Sequence, residues 1–479
     1  MSPRYGCIRS SSFLTASSRG STPSLLIFMD SGEMKKDVEN AAGVTVVVTA
    51  IPDPADPPPS EDNVRAWLTV LGSALVYFAS FGFTNSFGFF QDYYQTDYLP
   101  EQPPSTIAFI GTLQISLMYV IAPVAGALSD IYGLKWIYRA AALGCCASVV
   151  GLSFSQSGVL WQPFVTQGVL FGLVVAFNTQ PALAVVGQHF KQRRALAMGL
   201  VSAGSCISGS LLPIMLSALV PRIGFGWTVR ATALLMLCCY IIAMLISYTK
   251  DPPTAPPPAK DLADQPPAKP TLAASSLLDF RGYKDPRYLV LAIGNFVATL
   301  GVYVPNYYIG SYAVLAYPTA SVHGYLLPIL NGSSFFGRVL GGWAADVTGA
   351  LNFLYPMTLL SGVLCLSLWL LDQNMDMILV FCIMYGFTSG VFISVTPAAV
   401  TQIVPEDKIG ARMGAFFTLT ALATLMGSPV AGCLIDEGDG VGTEGYRGII
   451  LFTGLTLVVG GALLFVGRLL CDRDWRKKL

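Results

Sequence analysis

One arginine, Arg338, lies inside a long apolar stretch and is the residue of this sequence best suited to recognise a charged ligand. It directly follows the segment Leu326 to Gly337. A charge there is costly unless it faces a cavity or a partner, and the fixed fork of guanidinium donors matches a carboxylate or a similar anion. Two alternatives are an arginine that reaches out of the apolar layer and one that bonds carbonyl groups of a neighbouring helix.

A motif of two glycines around an aspartate occurs twice, 216 positions apart, as Gly126-x-x-x-Asp130-x-x-Gly133 and Gly342-x-x-x-Asp346-x-x-Gly349. The last glycine of each copy permits a tight turn. Each aspartate can accept hydrogen bonds from a neighbouring helix end or pair with an arginine. Forming such a contact would close a gate on one side of the protein, and breaking it would open the gate. A plain helix cap is the alternative. Arg193 and Arg194, at a helix start, could bind lipid phosphate or pair with a gate acid.

Further amides and phenols occur singly within apolar stretches and could line a binding site. Their side chains can hydrogen-bond a solute, and the tyrosine rings can stack on one. Packing between helices is the alternative for each. The candidates are Asn85, Asn178, Asn295, Tyr303 and Tyr307.

Several other kinds of chemistry lack the residues they require. The two histidines, His189 and His323, are too few and too far apart for a histidine metal site. The sequence has no GxxxxGK[ST] nucleotide loop and no paired histidines or aspartates within its apolar stretches. Most cysteines lie in apolar stretches, where thiols behave as small hydrophobes. We therefore predict no metal, no cofactor, no disulfide and no enzymatic activity.

The composition indicates a membrane protein. Of 479 residues, 53% are hydrophobic and only 12% are charged, whereas soluble domains carry about a quarter charged residues. A bilayer can cover this much apolar surface and a soluble core cannot. The net charge of zero gives no argument for a nucleic acid partner. The expected partners are the lipid bilayer and a small solute.

Twelve apolar stretches of about twenty residues can each span a bilayer as a helix. They begin near Trp67, Ile107, Trp136, Phe164, Ala195, Trp227, Tyr288, Tyr325, Phe353, Met377, Met413 and Ile449. The sequence thus predicts an all-α membrane protein with two pseudo-symmetric six-helix bundles, residues 65–249 and 288–470. A proline-rich central loop, 250–287, separates them. Residues 1–64 are predicted to be a disordered tail, and residues 471–479 a short one.

The basic residues predict the orientation. Fourteen interhelical lysines and arginines fall on one side, against Arg222, Arg230 and Arg447 on the other. The basic side faces the cytosol, so both termini and the central loop are predicted to be cytosolic. The plasma membrane is the predicted location, with an organelle membrane as the alternative.

The two predicted halves repeat one another beyond the glycine–aspartate motif. Pro181 and Pro397 are also separated by 216 positions, and Met198 and Met413 by 215. Duplicated halves of this kind place a solute site near the bilayer midplane, between the halves, and open it alternately to each side.

Three segments carry a family resemblance. GALSDIYGLKW (Gly126 to Trp136) resembles the loop signature of the major facilitator superfamily. Residues Glu61 to Tyr94 and His189 to Gly209 resemble the first-helix and helix 4–5 signatures of its monocarboxylate porter family, especially the fungal branch. The resemblance covers about Asp62 to Leu470. It implies a porter of small organic acids or related metabolites, often moved with a proton.

The resemblance also concerns the binding residues. An arginine of the eighth helix is implicated in anion binding in that family, and Arg338 stands at the matching place. Two positions depart from the proton-coupled animal members: Ser334 replaces an acid and Asn85 replaces a lysine. Proton coupling is therefore possible but unsupported, and lactate–proton symport by the animal mechanism is not expected.

The predicted function is secondary transport of a small organic acid or related metabolite by alternating access, in uptake or in export. A transporter-like membrane sensor without significant flux is the alternative; a long structured cytosolic domain would favour it. The predicted substrate-binding residues are Arg338, Asn85, Asn178, Asn295, Tyr303 and Tyr307. The predicted gating residues are Asp130, Gly133, Arg193, Arg194, Asp346 and Gly349.

Overall fold

The computed structural model describes residues 12–15, 26–29, 63–132, 134–190, 193–247, 278–320, 322–405, 408–435 and 443–472. The chain divides into two compact units, residues 1–60 and 61–479. In the first unit, strand β1 (Ser12–Thr15) pairs antiparallel with strand β2 (Leu26–Met29). This hairpin was not anticipated from the sequence, and the disorder of the tail stays a prediction. Of the predicted central loop 250–287, residues 250–277 lie outside the described residues, and the described part contains a short 3₁₀ helix (Phe280–Lys284).

The first predicted span consists of three consecutive helices, α1 (Val64–Ala79), α2 (Phe81–Asn85) and α3 (Phe87–Tyr93). The breaks fall at Ser80 and Ser86. Their hydroxyls donate to the carbonyl oxygens of Val76 and Gly82, four residues earlier. Serines that bond back to the preceding turn bend helices. The second bend directly follows Asn85, one of the predicted binding residues.

The remaining helices of the first half are longer. They are α4 (Pro104–Tyr132), α5 (Leu134–Leu152), the short α6 (Trp161–Pro163) that continues through a π-helical turn (Phe164–Leu170) into α7 (Phe171–His189), and α8 (Arg194–Ile246). Region α8 is two helices joined at Gly224, where φ is 77° and ψ is 164°. Glycine adopts this backbone conformation without a steric cost. The joint separates the predicted fifth and sixth spans.

The second half begins with a capped helix, α9 (Pro286–Val302). The Asp285 carboxylate accepts a hydrogen bond from the Arg287 N–H, and Pro286 occupies the first turn, where no N–H is required. Burial raises the pKa of Asp285, but the hydrogen bonds and charge of Arg287 lower it more, so this pKa lies below its usual range. The further helices are α10 (Val304–Ala316), α11 (Leu326–Thr348), α12 (Ala350–Leu364), α13 (Met375–Ile403), α14 (Ile409–Cys433) and α15 (Arg447–Cys471).

Eight helical regions among the described residues are long and apolar enough to cross a membrane. Helix α1 and the segment Trp136–Leu152 are apolar but shorter. Helix α11 has the length but is not one of the eight. It carries Asn331 and Arg338, which are 3% and 1% exposed, so its polar side chains lie inside the protein. The helical class predicted from the sequence is confirmed for this unit.

Close contacts between helices join the two halves. A Cβ atom at Gly199 of α8 would lie 2.5 Å from the carbonyl oxygen of Arg338 on α11. Helix α11 packs as closely on α13, since a Cβ atom at Gly337 would lie 2.1 Å from the carbonyl oxygen of Phe387. Glycines allow helix backbones to approach this closely. Arg338 therefore lies where three helices meet.

Candidate functional site

Arg338 bridges the two halves of the chain. Its Nη1 donates hydrogen bonds to the carbonyl oxygen of Ser202 and to Oγ of Ser205, each at 2.8 Å. The guanidinium carbon lies 5.8 Å from the ring centroid of Phe81, within the range of a cation–π interaction. Helix α11 of the second half thus contacts α8 and α2 of the first through this side chain.

The charge of Arg338 is not neutralised by a carboxylate among the described residues. Its Nε is buried and has no hydrogen-bond partner among those same residues. A buried ion without a counter-ion costs several kcal/mol, about 3–5 in measured cases. An incoming anion would supply the opposite charge and further acceptors. The burial excludes an arginine that reaches out of the apolar layer; bonding to a neighbouring helix is observed, and anion binding stays a prediction.

Asn85 meets Arg338 at the hydroxyl of Ser205. Asn85 Nδ2 donates to Ser205 Oγ at 3.2 Å, and Ser205 Oγ donates to the carbonyl oxygen of Ser202 at 2.7 Å. The hydroxyl therefore accepts two hydrogen bonds and donates one, which is its full capacity. The structure brings together these two predicted binding residues, one from each half.

Two further predicted residues, Asn295 and Tyr303, line one small cavity of about 30 Å³ together with Tyr119. The hydroxyls of Tyr119 and Tyr303 are 3.5 Å apart, and both rings lie within electrostatic reach of Arg338. Asn295 Nδ2 donates to Thr420 Oγ1 at 3.0 Å. Phenol groups from both halves thus lie within electrostatic reach of the arginine, and the Asn295 amide lines the same small cavity as these phenols.

A larger cavity of about 540 Å³ lies between α4, α7 and α8 of the first half and α11, α13 and α14 of the second. It shares Pro397 and Phe417 with the small cavity, so the two are adjacent. Most of its lining is apolar, and its polar lining residues are Gln180, Arg194, Asp346, Thr401 and Gln402. The end of the molecule where Gly126 and Asp346 line this cavity is called the motif end below.

Asp346 caps the first turn of α8 from the other half of the chain. Its Oδ1 accepts a hydrogen bond from the Ala195 N–H at 3.2 Å, and its Oδ2 accepts one from the Leu196 N–H at 2.9 Å. A helix N-terminus presents unpaired N–H groups and a partial positive charge, which a carboxylate satisfies. The contact has the form expected of the gate, and its role in gating stays a prediction.

Three of the other predicted gating residues are described by the structure, and they lie in the region of the Asp346 contact with α8. Gly349 ends α11 with a φ of 100°, a conformation in which other residues are strained. Arg194 lines the large cavity, and Arg193 is the residue before the first turn of α8. The side chain of Asp130 and the whole of Gly133 lie outside the described residues.

Tyr307 lies away from Arg338, toward the end of the molecule where Asp92 and Ser311 meet, called the opposite end below. Its ring centroid is 5.2 Å from that of Phe87, and its hydroxyl is buried without a partner. It lines another cavity, of about 60 Å³. Tyr307 therefore lines a different cavity from Asn295 and Tyr303, although it lies within electrostatic reach of Tyr303.

Asn178 also lies apart from the group around Arg338. Its Nδ2 is 3.3 Å from Cys145 Sγ and 3.3 Å from the hydroxyl of Tyr240, both within the first half. This packing inside one bundle favours a structural role, and solute binding by Asn178 stays a prediction.

Sequence reasoning missed Ser205, Tyr77 and Tyr119 as members of the site. Ser205 stands on a face of small residues typical of helix packing, and the two tyrosines resemble the many aromatic residues of the other spans. Both tyrosines lie within electrostatic reach of Arg338. No sequence signal separates them from packing residues, because the approach of the helices decides which side chains face Arg338.

Comparison with known proteins gives the family. The model of the Major Facilitator Superfamily matches residues 69–377 and 291–477. The chain belongs to the Major Facilitator Superfamily. It is a multi-pass membrane protein with the all-helical fold of these transporters, so the superfamily-level prediction is confirmed.

Fungal relatives match most of the chain. "MFS-type transporter hasB" of Aspergillus fumigatus is 35% identical over 416 residues, 86% of this chain and 90% of the relative. "MFS transporter asaE" of Aspergillus flavus is 33% identical over 422 residues, 87% of this chain and 90% of the relative. "Agnestins efflux protein AgnL12" of Paecilomyces divaricatus is 34% identical over 413 residues, 86% and 89% of the two chains.

Solved structures with the same fold include the human organic anion transporter MFSD10 (TETRAN). It superposes with a TM-score of 0.60 at 16% identity, over 85% of this chain and 100% of that one. The nucleoside transporter NupG gives a TM-score of 0.58 at 13% identity, over 86% of this chain and 100% of that one. At these identities the likeness concerns the fold alone.

Proposed function

We propose that this chain is a secondary transporter of the monocarboxylate porter type that moves a small organic acid or related metabolite by alternating access. The monocarboxylate porter signatures in residues 61–94 and 189–209 support the branch. The fungal relatives are named as transporters, and one is named as an efflux protein. That name favours export over uptake.

The proposed arrangement has twelve spans with both termini in the cytosol. Counting α8 as two spans gives nine from the eight apolar regions, and α1–α3, α5 and α11 supply the remaining three. Residues 65–249 and 288–470 then form the two halves. The excess of lysine and arginine in the loops of the motif end supports a cytosolic position for that end. We propose the plasma membrane as the location.

The observation that carries the proposal is the unneutralised charge of Arg338 at the contact between the halves. Within the part of the chain that the structure describes, only neutral acceptors from α8 bond its guanidinium. An anion that enters from the large cavity would neutralise the charge of Arg338 and accept further hydrogen bonds from its guanidinium group. The apolar walls of that cavity support a partly apolar solute, and the Tyr119, Tyr303 and Asn295 group supplies hydrogen bonds beside it.

Metabolite profiling of a deletion strain tests the proposal. Loss of the gene should shift an acidic metabolite between cells and medium, and the parent gene should restore it. Arg338→Lys should restore little transport, because a point ammonium cannot reproduce two-pronged hydrogen bonding. The charge survives in this variant, but the loss of a hydrogen bond to a charged group costs about 1.5–3 kcal/mol, roughly a ten- to hundredfold loss in affinity.

Asn85→Ala is the matched comparison at equal membrane expression. Asn85 supplies only neutral hydrogen bonds, about 1 kcal/mol each, so this variant should restore transport more fully than Arg338→Lys. If Arg338→Lys transports like the parent, the arginine is structural and the preference for anions fails. If the deletion leaves every metabolite unchanged in both compartments, transport itself fails and the sensor alternative gains support.

A further inference from the structure

A carboxylate, Asp92, joins the two halves at the opposite end of the molecule. Asp92 lies on α3, and its Oδ1 accepts a hydrogen bond from Ser311 Oγ of α10. Ser311 Oγ also lies 3.2 Å from Gln95 Oε1. A Cβ atom at Gly310 would lie 2.3 Å from Asp92 Oδ2, so the carboxylate rests directly on the backbone of α10. The contact thus ties α3 of the first half to α10 of the second at this end.

No basic side chain pairs with Asp92 among the described residues. The titratable groups that line the same 60 Å³ cavity are His323 and Tyr307. His323 Nε2 lies 2.6 Å from the carbonyl oxygen of Tyr317. The neighbouring cavity residues on α8 are uncharged, Pro213 and Ser217, as are Gly88 and Phe89 beside Asp92 and Asn306 on α10. Helix α4 contacts α3 through the Pro104 carbonyl oxygen and Gly111.

Asp92 is part-buried at this contact, so closure removes part of the water around the carboxylate and provides no cation in return. A carboxylate in that situation is more stable in its neutral, protonated form, whereas an open, hydrated end stabilises the ionised form. The hydroxyl of Ser311 can serve either form, since it can donate to a carboxylate or accept from a carboxyl. The protonation of Asp92 and the closure of the opposite end are therefore linked.

We propose that Asp92 is a proton-binding site whose protonation closes the opposite end of the transport path. The proton comes from the solvent on that side and returns to it when the end opens. The proposal rests on the alternating access of the proposed function. It gives the transporter a proton-sensitive group although no acid among the described residues pairs with Arg338.

Solvent access to the cavity beside Asp92 tests this without any solute. The reporter is Asn306→Cys, a partly buried cavity residue, in full-length protein reconstituted in liposomes. Labelling by a maleimide is read by peptide mass spectrometry, so that the native cysteines do not interfere. Ser217→Cys, an exposed position on the same cavity, corrects for the effect of pH on thiol reactivity.

The labelling ratio of Asn306→Cys to Ser217→Cys should rise several-fold from mildly acidic to mildly alkaline pH. In Asp92→Asn, which is always neutral, the ratio should stay low at every pH. Asp97→Asn, an exposed carboxylate one turn away, should behave like the parent. Ser311→Ala should raise the ratio at acidic pH and provides a second test if Asp92→Asn does not fold.

A ratio that does not change with pH in the parent overturns the proposal, as does an unchanged pH dependence in Asp92→Asn. Failure of the proposed function is distinguishable from either result. It would be seen as unchanged metabolites in the deletion strain, whereas this assay measures only the opening of the opposite end.

Discussion

Arg338 and Asn85 belong to different halves of the chain but share one acceptor, the hydroxyl of Ser205. Ser205 also donates to the carbonyl oxygen of Ser202, so none of its hydrogen-bonding capacity is left for a solute. An anion that binds Arg338 must therefore accept hydrogen bonds from the guanidinium N–H groups that do not bond Ser205. Ser205 thus acts as a positioning residue for the guanidinium and the amide.

Ser205→Ala should destabilise the protein through Arg338. The substitution removes an acceptor from a buried charge, and a hydrogen bond to a charged group contributes about 1.5–3 kcal/mol. We expect a lower melting temperature of the purified protein in detergent. Ser208→Ala is the matched control, because the Ser208 hydroxyl is buried on the same helix and bonds no group in the described ranges. Equal melting temperatures for the two variants would contradict the role of Ser205.

At the scale of helices, α11 is the element on which the site depends. It packs on α8 through Gly199 and Gly342 and on α13 through Gly337. These contacts fix the spacing between α11 and α8, which the Arg338 side chain bridges. A change in the α11 contact therefore alters both the stability of the bundle and the position of the guanidinium.

Gly337→Ala should be destabilising, because its Cβ would lie 2.1 Å from the Phe387 carbonyl oxygen. Backbone cannot yield as a flexible side chain does, and overpacking costs about 1–3 kcal/mol. Gly332→Ala on the same helix is the control, since its nearest contact would be Ser210 Oγ at 3.7 Å. Thermal unfolding in detergent measures both, and a Gly337→Ala protein as stable as Gly332→Ala would refute the contact.

Asp346→Asn should weaken the link between α11 and α8. An amide has one acceptor oxygen and no charge, so the variant loses one of two hydrogen bonds and the attraction to the helix N-terminus, about 0.3–1 kcal/mol for the latter. We expect reduced transport at nearly unchanged protein level. Asp376→Asn, an exposed acid in the first turn of α13, is the control. Loss of folding in Asp346→Asn would instead favour a purely structural cap.

At the scale of the whole molecule, the two ends of the path differ. The motif end holds the cavity of about 540 Å³, whereas the opposite end holds one of about 60 Å³ beside the Asp92–Ser311 contact. Under the proposed alternating access, the difference corresponds to a state that is open at the motif end and closed at the opposite end. Alternating access would exchange these conditions.

The proposed topology predicts which face of the membrane each loop occupies. Cysteines at Lys260 and Lys477 should be labelled by an impermeant reagent only from the cytosolic side, and one at Glu444 only from outside. Glu444 is the suitable outer position, because it is exposed in the turn before α15. Labelling of positions 260 and 444 from the same face would break the two-half arrangement.

The sequence by itself determined the helical class, the approximate start of the spans and the membrane environment, because hydrophobicity and its run length are local properties of the chain. It also offered a neighbouring helix end as one of three partners for Asp346, beside an arginine and a plain cap of its own helix, and did not decide among them.

Only the tertiary structure decided which polar residues meet. Asn85 lies 120 positions from Ser205, and Arg338 lies 133 positions from it, so their meeting depends on how α2, α8 and α11 cross. The same packing turns Asn178 toward Cys145 and Tyr240, although its sequence surroundings resemble those of Asn85. A span shows no polar face that distinguishes a binding residue from a packing residue, because both are buried in the protein rather than exposed to lipid.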